Sequence, residues 1–107
     1  MLQSAKRSDK KRGRVCKLTL HWLTTRLSTG ICAATGLPFE FPKPGQGERI
    51  GRVPCRPSLD RIDSARGYTR NNCRIVLYWY NIAKAEWGED LVISLMKAAV
   101  RHHERHA

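Results

Sequence analysis

The chain has 107 residues and a formal net charge of +11, from 20 Lys and Arg against nine Asp and Glu. This length accommodates one domain with one modest core. The charge favours a polyanionic partner and excludes a protein that mimics DNA. No apolar run approaches the roughly 20 residues of a membrane span, and no secretory signal is visible. We therefore expect a cytoplasmic protein that does not enter a membrane, with its four cysteines reduced.

The N-terminal residues are predicted to form a basic arm. Residues 1–17 contain seven basic residues, one acid and almost no large apolar side chains. This composition is typical of disorder, either in an arm that orders on phosphates or in a solvated tail. The candidate nucleic-acid contacts in the arm are Lys10, Lys11 and Arg12.

A domain is predicted over residues 18–101, and it begins with a helix over residues 19–29. Thr19 can cap this helix, because its hydroxyl can accept a hydrogen bond from a first-turn N–H. Gly30 is expected to end it. The predicted apolar stripe consists of Leu20, Leu23 and Leu27.

The rest of the domain is predicted to be α+β, with a β-β-α unit flanked by an N-terminal and a C-terminal helix. The elements are a turn over 31–41, a proline-rich loop over 42–57, strands over 58–62 and 73–77, and a helix over 78–84. Gly88 breaks the pattern, and the last helix starts near Glu89. Residues 102–107 are expected to be a frayed, basic, His-rich tail. The predicted buried stripe of the last helix consists of Leu91, Leu95, Ala98 and Ala99.

Residues 57–84 read PSLDRIDSARGYTRNNCRIVLYWYNIAK, and this segment resembles the HNH nuclease family within the His-Me finger group. The similarity is greatest to phage-encoded members whose first strand reads D-R-I-D and whose second begins G-Y-x-x-x-N. It extends over residues 18–97. The resemblance implies a protein of a phage or prophage that acts in the bacterial cytoplasm, binds nucleic acid, above all DNA, and cleaves it with a divalent metal.

The resemblance assigns roles to residues at matching positions. Asp60 and Asn81 match the two metal-binding positions, and their oxygen ligands suit Mg²⁺ or Mn²⁺. Asn72 matches the residue that bonds across the loop and orients the general base. Lys84, one turn after Asn81, is placed to touch a phosphate. Arg74 on the second strand is a further candidate contact to nucleic acid.

Arg61 occupies the position of the family's general-base histidine. An arginine cannot accept a proton at neutral pH, but it can clamp a phosphate. Asp63 is one alternative base or second metal ligand, and His21 or a histidine of the tail is another. Without a catalytic role, Asp60 and Asp63 would cap the turn beside the hairpin.

The cysteine pairs that hold zinc in many HNH proteins are missing. Cys32 stands at the first knuckle position, but Thr35, Leu77 and Tyr80 replace the other three cysteines. We therefore expect no structural zinc. In its place we expect an apolar contact of Leu77 and Tyr80 with the Cys32 turn.

The tryptophans of the C-terminal half are assigned to the core. A small domain without zinc needs large apolar side chains, so Trp79 and Trp87 are expected to be buried. A base-stacking platform that includes Tyr78 is the alternative.

The preferred function is that of an HNH-like, metal-dependent endonuclease. The main alternative is a catalytically degenerate HNH-fold module that only binds DNA, RNA or a protein, such as a phage regulator or anti-defence factor. A basic structural protein of a phage particle is a third possibility. Arg61 is the residue that keeps the non-catalytic alternatives open, since it replaces the base.

Overall fold

The computed structural model describes residues 1–41, 43 and 53–107. Over these residues the chain forms four helices and one two-stranded antiparallel sheet. The predicted α+β class with a central β-β-α unit is confirmed, while most of the predicted loop over 42–57 lies outside the described residues. In chain order the elements are α1 (Leu2–Lys11), α2 (Leu20–Ser28), β1 (Pro57–Arg61), β2 (Cys73–Leu77), α3 (Tyr78–Lys84) and α4 (Glu89–Arg105).

The N-terminal segment is helical over Leu2–Lys11, where the sequence predicted a disordered arm. The helix packs against the hairpin loop, because the buried Asp9 carboxylate accepts a hydrogen bond from the Tyr68 N–H at 3.0 Å. Lys17 N–H extends this contact by donating to the Tyr68 carbonyl. The order comes from tertiary contacts that composition does not reveal. The exposed basic residues at the end of α1 are Lys10, Lys11 and Arg12.

α2 lies within one residue of its predicted bounds. The Thr19 hydroxyl accepts a hydrogen bond from the Trp22 N–H at 3.1 Å, and Gly30, with φ of 69°, follows the helix end. The buried face differs from the predicted stripe, because Leu20 is exposed. Leu23 of the predicted stripe is buried, and Trp22, which was not part of the stripe, joins it in the core that packs with β2.

The sheet is a hairpin in which Asp60 of β1 lies opposite Arg74 of β2. β2 has its predicted bounds, and β1 starts and ends one residue earlier than predicted. Because side chains alternate along a strand, Ile75 packs with α2 while Val76 packs with Tyr80 of α3. Both faces of β2 are therefore covered, and this strand joins the two parts of the core.

α3 follows β2 without a loop and has its predicted bounds. Its first N–H groups are satisfied by backbone carbonyls: Tyr78 donates to Arg56 at 2.8 Å and Trp79 donates to Pro54 at 2.9 Å. These bonds fix α3 against the segment that leads into β1.

α4 begins after Gly88 as predicted and continues to Arg105, well into the predicted tail. Its predicted buried stripe is wrong, because Val92 is the buried residue of α4. The predicted stripe residues are all exposed: Leu91, Leu95, Ala98 and Ala99. Trp79 and Trp87, which were assigned to the core, are exposed as well. None of the helices in the described part of the chain is long and apolar enough to cross a bilayer.

Candidate functional site

The centre of the candidate site is the carboxylate of Asp60, near the end of β1. Asp60 is only 2% exposed, and each of its oxygens lies beside a cation. Oδ2 is 3.0 Å from Arg74 Nε, and Oδ1 is 3.1 Å from Lys84 Nζ. Lys84 is itself 1% exposed and also donates to the Arg61 carbonyl at 2.8 Å. A buried charge requires such partners, and here the carboxylate has two.

The charge network continues from Arg74 to the start of α4. Arg74 Nη2 lies 2.6 Å from Glu89 Oε1, and the Tyr80 hydroxyl donates to the same oxygen at 2.5 Å. The bonds from Tyr80 and Arg74 lower the pKa of Glu89 below its usual range. Burial, with the bond to Glu89, raises the pKa of Tyr80 to about 12. The network thus ties β1, β2, α3 and α4 together.

Asn72 lies at the base of the hairpin loop and is 1% exposed. Its Oδ1 accepts from the Asp63 N–H at 3.0 Å, and its Nδ2 donates to the carbonyls of Asp63 and Gly67 at 3.1 and 2.9 Å. Asn72 therefore closes the loop from inside. The role of orienting a catalytic base stays a prediction, because the neighbouring strand position carries Arg61.

Arg61, which occupies the histidine position, and Asp63, the alternative base nearest to it, both have local hydrogen-bond partners. Asp63 is exposed, and its Oδ1 accepts from the Ala65 N–H at 2.9 Å, which is the geometry of turn capping. Arg61 Nη1 donates to the Arg66 carbonyl at 3.1 Å, and its guanidinium lies 4.9 Å from the Tyr68 ring centroid. Both residues sit at the hairpin loop, beside the Asp60 network.

Asn81 joins α3 to β1. Its Nδ2 donates to Ser58 Oγ at 2.8 Å and to the Leu59 carbonyl at 3.0 Å. Within the described residues, no three His, Cys, Asp or Glu side chains come together as a metal site. Because both Asp60 oxygens are bound by cations, the present donor set does not fit a divalent ion until Lys84 moves.

The Cys32 turn packs on the β2–α3 junction, where the sequence resemblance would place a zinc knuckle. Cys32 is buried with Val76, Leu77 and Tyr80. Its sulfur accepts hydrogen bonds from the N–H groups of Leu77 at 3.2 Å and Thr35 at 3.4 Å. Burial acts to raise the pKa of the thiol, but hydrogen bonding from the Thr35 side chain and from the N–H groups of Leu77, Thr35 and Ala34 outweighs it and lowers the pKa below its ordinary value. The predicted apolar contact is therefore present.

A basic cleft of about 510 Å³ opens beside the hairpin, between the end of α2 and the start of β2. Arg26, Arg70 and Arg74 line it together with Asn71 and with apolar side chains that include Ile31, Ile62 and Ile75. Among the described residues, no carboxylate lies within 4 Å of Arg26 or Arg70, so these two charges face the cleft without an acidic partner. Sequence reasoning missed both residues, because Arg26 lies on a different element and Arg70 lies in the loop between the motif positions.

Comparisons with protein-family models, with curated proteins and with solved structures found no match to this chain. The class of this protein is therefore defined by the geometry of its fold and of the candidate site. The chain is a small α+β protein whose β-β-α unit carries a buried, internally paired carboxylate beside a basic cleft.

Proposed function

We propose that this chain binds nucleic acid, with DNA as the preferred partner, as an HNH-like module that lacks cleavage activity. One observation carries the non-catalytic part: the Asp60 carboxylate, at the family's metal position, is already neutralised by Arg74 and Lys84. The binding part rests on the net charge of +11 and on the arginines of the basic cleft.

The Asp60 contacts oppose metal binding for an electrostatic reason. Mg²⁺ or Mn²⁺ would add two positive charges beside two cations that already lie within 3.1 Å of the carboxylate. In a buried site such repulsion is weakly screened. Lys84 and Arg74 therefore satisfy the charge that a metal would otherwise satisfy. Arg61 cannot accept a proton from water, so the general base is absent from its family position.

The basic cleft provides a physical route for phosphate binding. Arg26 and Arg70 approach it from two elements, and their guanidinium groups suit the planar geometry of a phosphate contact. Arg56, stacked 3.7 Å from the centroid of the Tyr78 ring, adds a third positive group at the other end of the hairpin. These contacts are independent of base sequence, so we expect affinity to depend strongly on salt.

Metal-dependent cleavage is the second candidate, and the arrangement of the asparagines favours it. Asn72 closes the hairpin loop, and Asn81 lies on α3 against β1, as a His-Me finger requires. In this candidate, Asp60 and Asn81 would hold Mg²⁺ or Mn²⁺ once Lys84 had turned from Asp60 to a substrate phosphate, and the metal would stabilise the charge that develops on that phosphate. Asp63 is then the nearest candidate to take the proton of the attacking water.

Binding is tested by fluorescence anisotropy with labelled duplex DNA, single-stranded DNA and RNA at several salt concentrations. Replacing both Arg26 and Arg70 with alanine should weaken binding and reduce the logarithmic salt slope by about two, because each phosphate contact contributes about −0.9. Arg105→Ala, at the exposed end of α4, is the matched control. Unchanged affinity and slope in the double variant would show that the cleft is not the interface.

Cleavage is tested on the same preparations with plasmid DNA and Mg²⁺ or Mn²⁺, and with a chelator as control. Binding without nicking supports the non-catalytic module, whereas nicking that the chelator abolishes supports the endonuclease. Arg61→His restores the family's base between Asp60 and Ile62. If the wild type is a slow enzyme for want of a base, this variant should cut roughly 10²–10⁴-fold faster.

A further inference from the structure

The basic cleft between α2 and β2 carries apolar surface as well as positive charge. Its α2 side contributes Arg26 and Ile31, and its hairpin side contributes Ile62 and Arg70. Ile31 is 46% exposed and Ile62 is 45% exposed, so apolar surface is open beside both arginines. A phosphate group alone gains nothing from an apolar contact, because it is polar on all sides. The lining therefore fits a ligand that has an apolar face as well as negative charge, as a nucleotide has.

The floor of the cleft is the outer edge of β2. Alternate residues of an antiparallel strand direct their backbone groups to opposite edges. The Ile62 N–H donates to the Asn72 carbonyl at 2.8 Å, so Asn72 directs its backbone groups toward β1. Cys73 and Ile75 lie out of phase with Asn72 and direct their groups away from β1. The Ile75 carbonyl accordingly accepts from the Ala33 N–H at 3.0 Å, on the far side of β2.

Two backbone groups on this outer edge lack a partner. Among the hydrogen bonds of the described residues, none reaches the Ile75 N–H or the Cys73 carbonyl. Both residues are buried, and both line the cleft. Buried backbone groups almost always have a hydrogen-bond partner, so this donor and this acceptor are suited to a molecule that enters the cleft. Because the two groups are neighbours on one edge, a ligand that meets both must itself carry an acceptor beside a donor.

The Watson–Crick edge of a nucleobase carries this pattern. Each base presents a donor next to an acceptor there, and in a duplex both are taken by the opposite strand. That edge is free for a protein only when the base is unpaired. An extended peptide is the other ligand that bonds to a strand edge. It needs a longer row of free groups than this edge offers, because the Ile75 carbonyl is already bound to Ala33.

We propose that the basic cleft holds one unpaired base of a single-stranded nucleic acid. The Watson–Crick edge of the base bonds to the Cys73 carbonyl and the Ile75 N–H. The two exposed isoleucines contact its ring, and the two arginines bind the adjacent phosphates of the strand. This inference rests on the proposed nucleic-acid binding and deepens it, because it names the single strand as the form that fits the cleft.

Fluorescence anisotropy tests the preference on the full chain, with one labelled DNA strand used alone and annealed to its complement. We expect the single strand to bind roughly tenfold more tightly than the duplex at equal salt, which is the effect of about two net hydrogen bonds. Charge alone would not give this order, because the duplex has the higher charge density. An RNA strand of the same sequence should also bind more tightly than the duplex.

A strand of N3-methylthymine tests the contact to the base itself. The methyl group blocks the Watson–Crick edge and leaves the phosphate charge unchanged. This strand should bind about tenfold more weakly than oligothymidylate of the same length, because the two hydrogen bonds are lost. Oligothymidylate should also shift the amide resonance of Ile75 in NMR spectra, and the methylated strand should not.

Replacing an exposed isoleucine tests the apolar lining. Ile62→Ala should weaken the binding of the single strand and leave the binding of the duplex unchanged, because the variant removes contact with the ring and keeps every charge. Ile82→Ala, at an exposed isoleucine of α3 that does not line the cleft, is the matched control. Circular dichroism confirms that both variants are folded.

The outcomes separate this inference from the proposed function. A duplex that binds as tightly as the single strand overturns the inference and leaves the proposed nucleic-acid binding in place. The same holds for a methylated strand that binds as tightly as the unmodified one, or for single-strand binding that Ile62→Ala leaves unchanged. A labelled oligoglutamate peptide that binds more tightly than the single strand assigns the open edge to a peptide and overturns the inference. Absence of binding to every nucleic acid overturns both proposals.

Discussion

Removing the carboxylate of Asp60 is the sharpest perturbation of the β-β-α unit. Asp60→Ala leaves the ammonium of Lys84 buried, with the Arg61 carbonyl as its remaining partner. It also leaves Arg74 paired only with Glu89. A substitution that leaves a buried charge without a partner is among the most destabilising substitutions in a folded protein.

The expected loss follows from the burial of both partners. Breaking a buried ion pair by removing one side costs about 3–5 kcal/mol. The whole free energy of unfolding of a domain is about 5–15 kcal/mol. Each kcal/mol lowers the melting temperature by roughly 4–8 °C at this size. We therefore expect Asp60→Ala to melt at least about 12 °C below the wild type. Any change in binding or cleavage measured with this variant must be corrected for its folded fraction.

Urea unfolding followed by circular dichroism measures the effect. Lys84→Met should cost less than Asp60→Ala, because Asp60 keeps Arg74 when the ammonium is removed. The double variant should be more stable than additivity predicts, by about 1–3 kcal/mol. Asp63→Ala, at an exposed aspartate of the same hairpin, is the control and should cost less than about 1 kcal/mol. Equal stability of Asp60→Ala and Asp63→Ala would refute the buried pair.

Three further predictions concern the elements around the site. Asp9→Ala should detach α1 from the Tyr68 N–H, and amide hydrogen exchange over Leu2–Lys11 should then be faster than in the wild type. Unchanged protection of these amides would contradict this anchor. Thr19→Ala removes the α2 cap and should cost about 1 kcal/mol in urea unfolding; no change would mean that another group replaces the hydroxyl. Because the pKa of Glu89 is lowered in the folded state, Glu89 stabilises the fold fully at pH values above the pKa of an unfolded glutamate, which is about 4.3. This stabilisation is lost as the pH falls through the lower pKa of the folded state. Glu89→Gln should therefore flatten the acid limb of stability against pH, and an unchanged limb would assign it to other carboxylates.

The elements that the sequence predicted best are those determined by local pattern. The bounds of β2 and α3 and the break at Gly88 follow from β-branched alternation, helical spacing and a glycine. The prediction of the buried face of α4 was wrong, because periodicity identifies an apolar stripe but not the element that covers it. α4 carries two adjacent apolar faces, and the domain covers the face that includes Val92.

The sequence predicted where the residues of the candidate site lie in the fold, but it did not predict the ion pairs between them. The spacing of Asp60, Asn72 and Asn81 places all three on the β-β-α unit, where the structure has them. That Lys84 pairs with Asp60 rather than facing solvent depends on how α3 packs over β1. The helical α1 was missed for a similar reason, since its anchor at Tyr68 lies 59 residues away from Asp9.

The span of these contacts along the chain has a consequence for assembly. Asp60 and Lys84 are 24 residues apart, whereas Asp9 reaches Tyr68 across 59 residues. Closing the longer loop costs more chain entropy, so the hairpin and α3 can form before α1 docks. By the same asymmetry α1 can detach while the hairpin stays intact. A detached α1 samples a larger volume of solution than a docked one, so in the proposed binding to nucleic acid its lysines and arginines can contact a phosphate before the rest of the protein does.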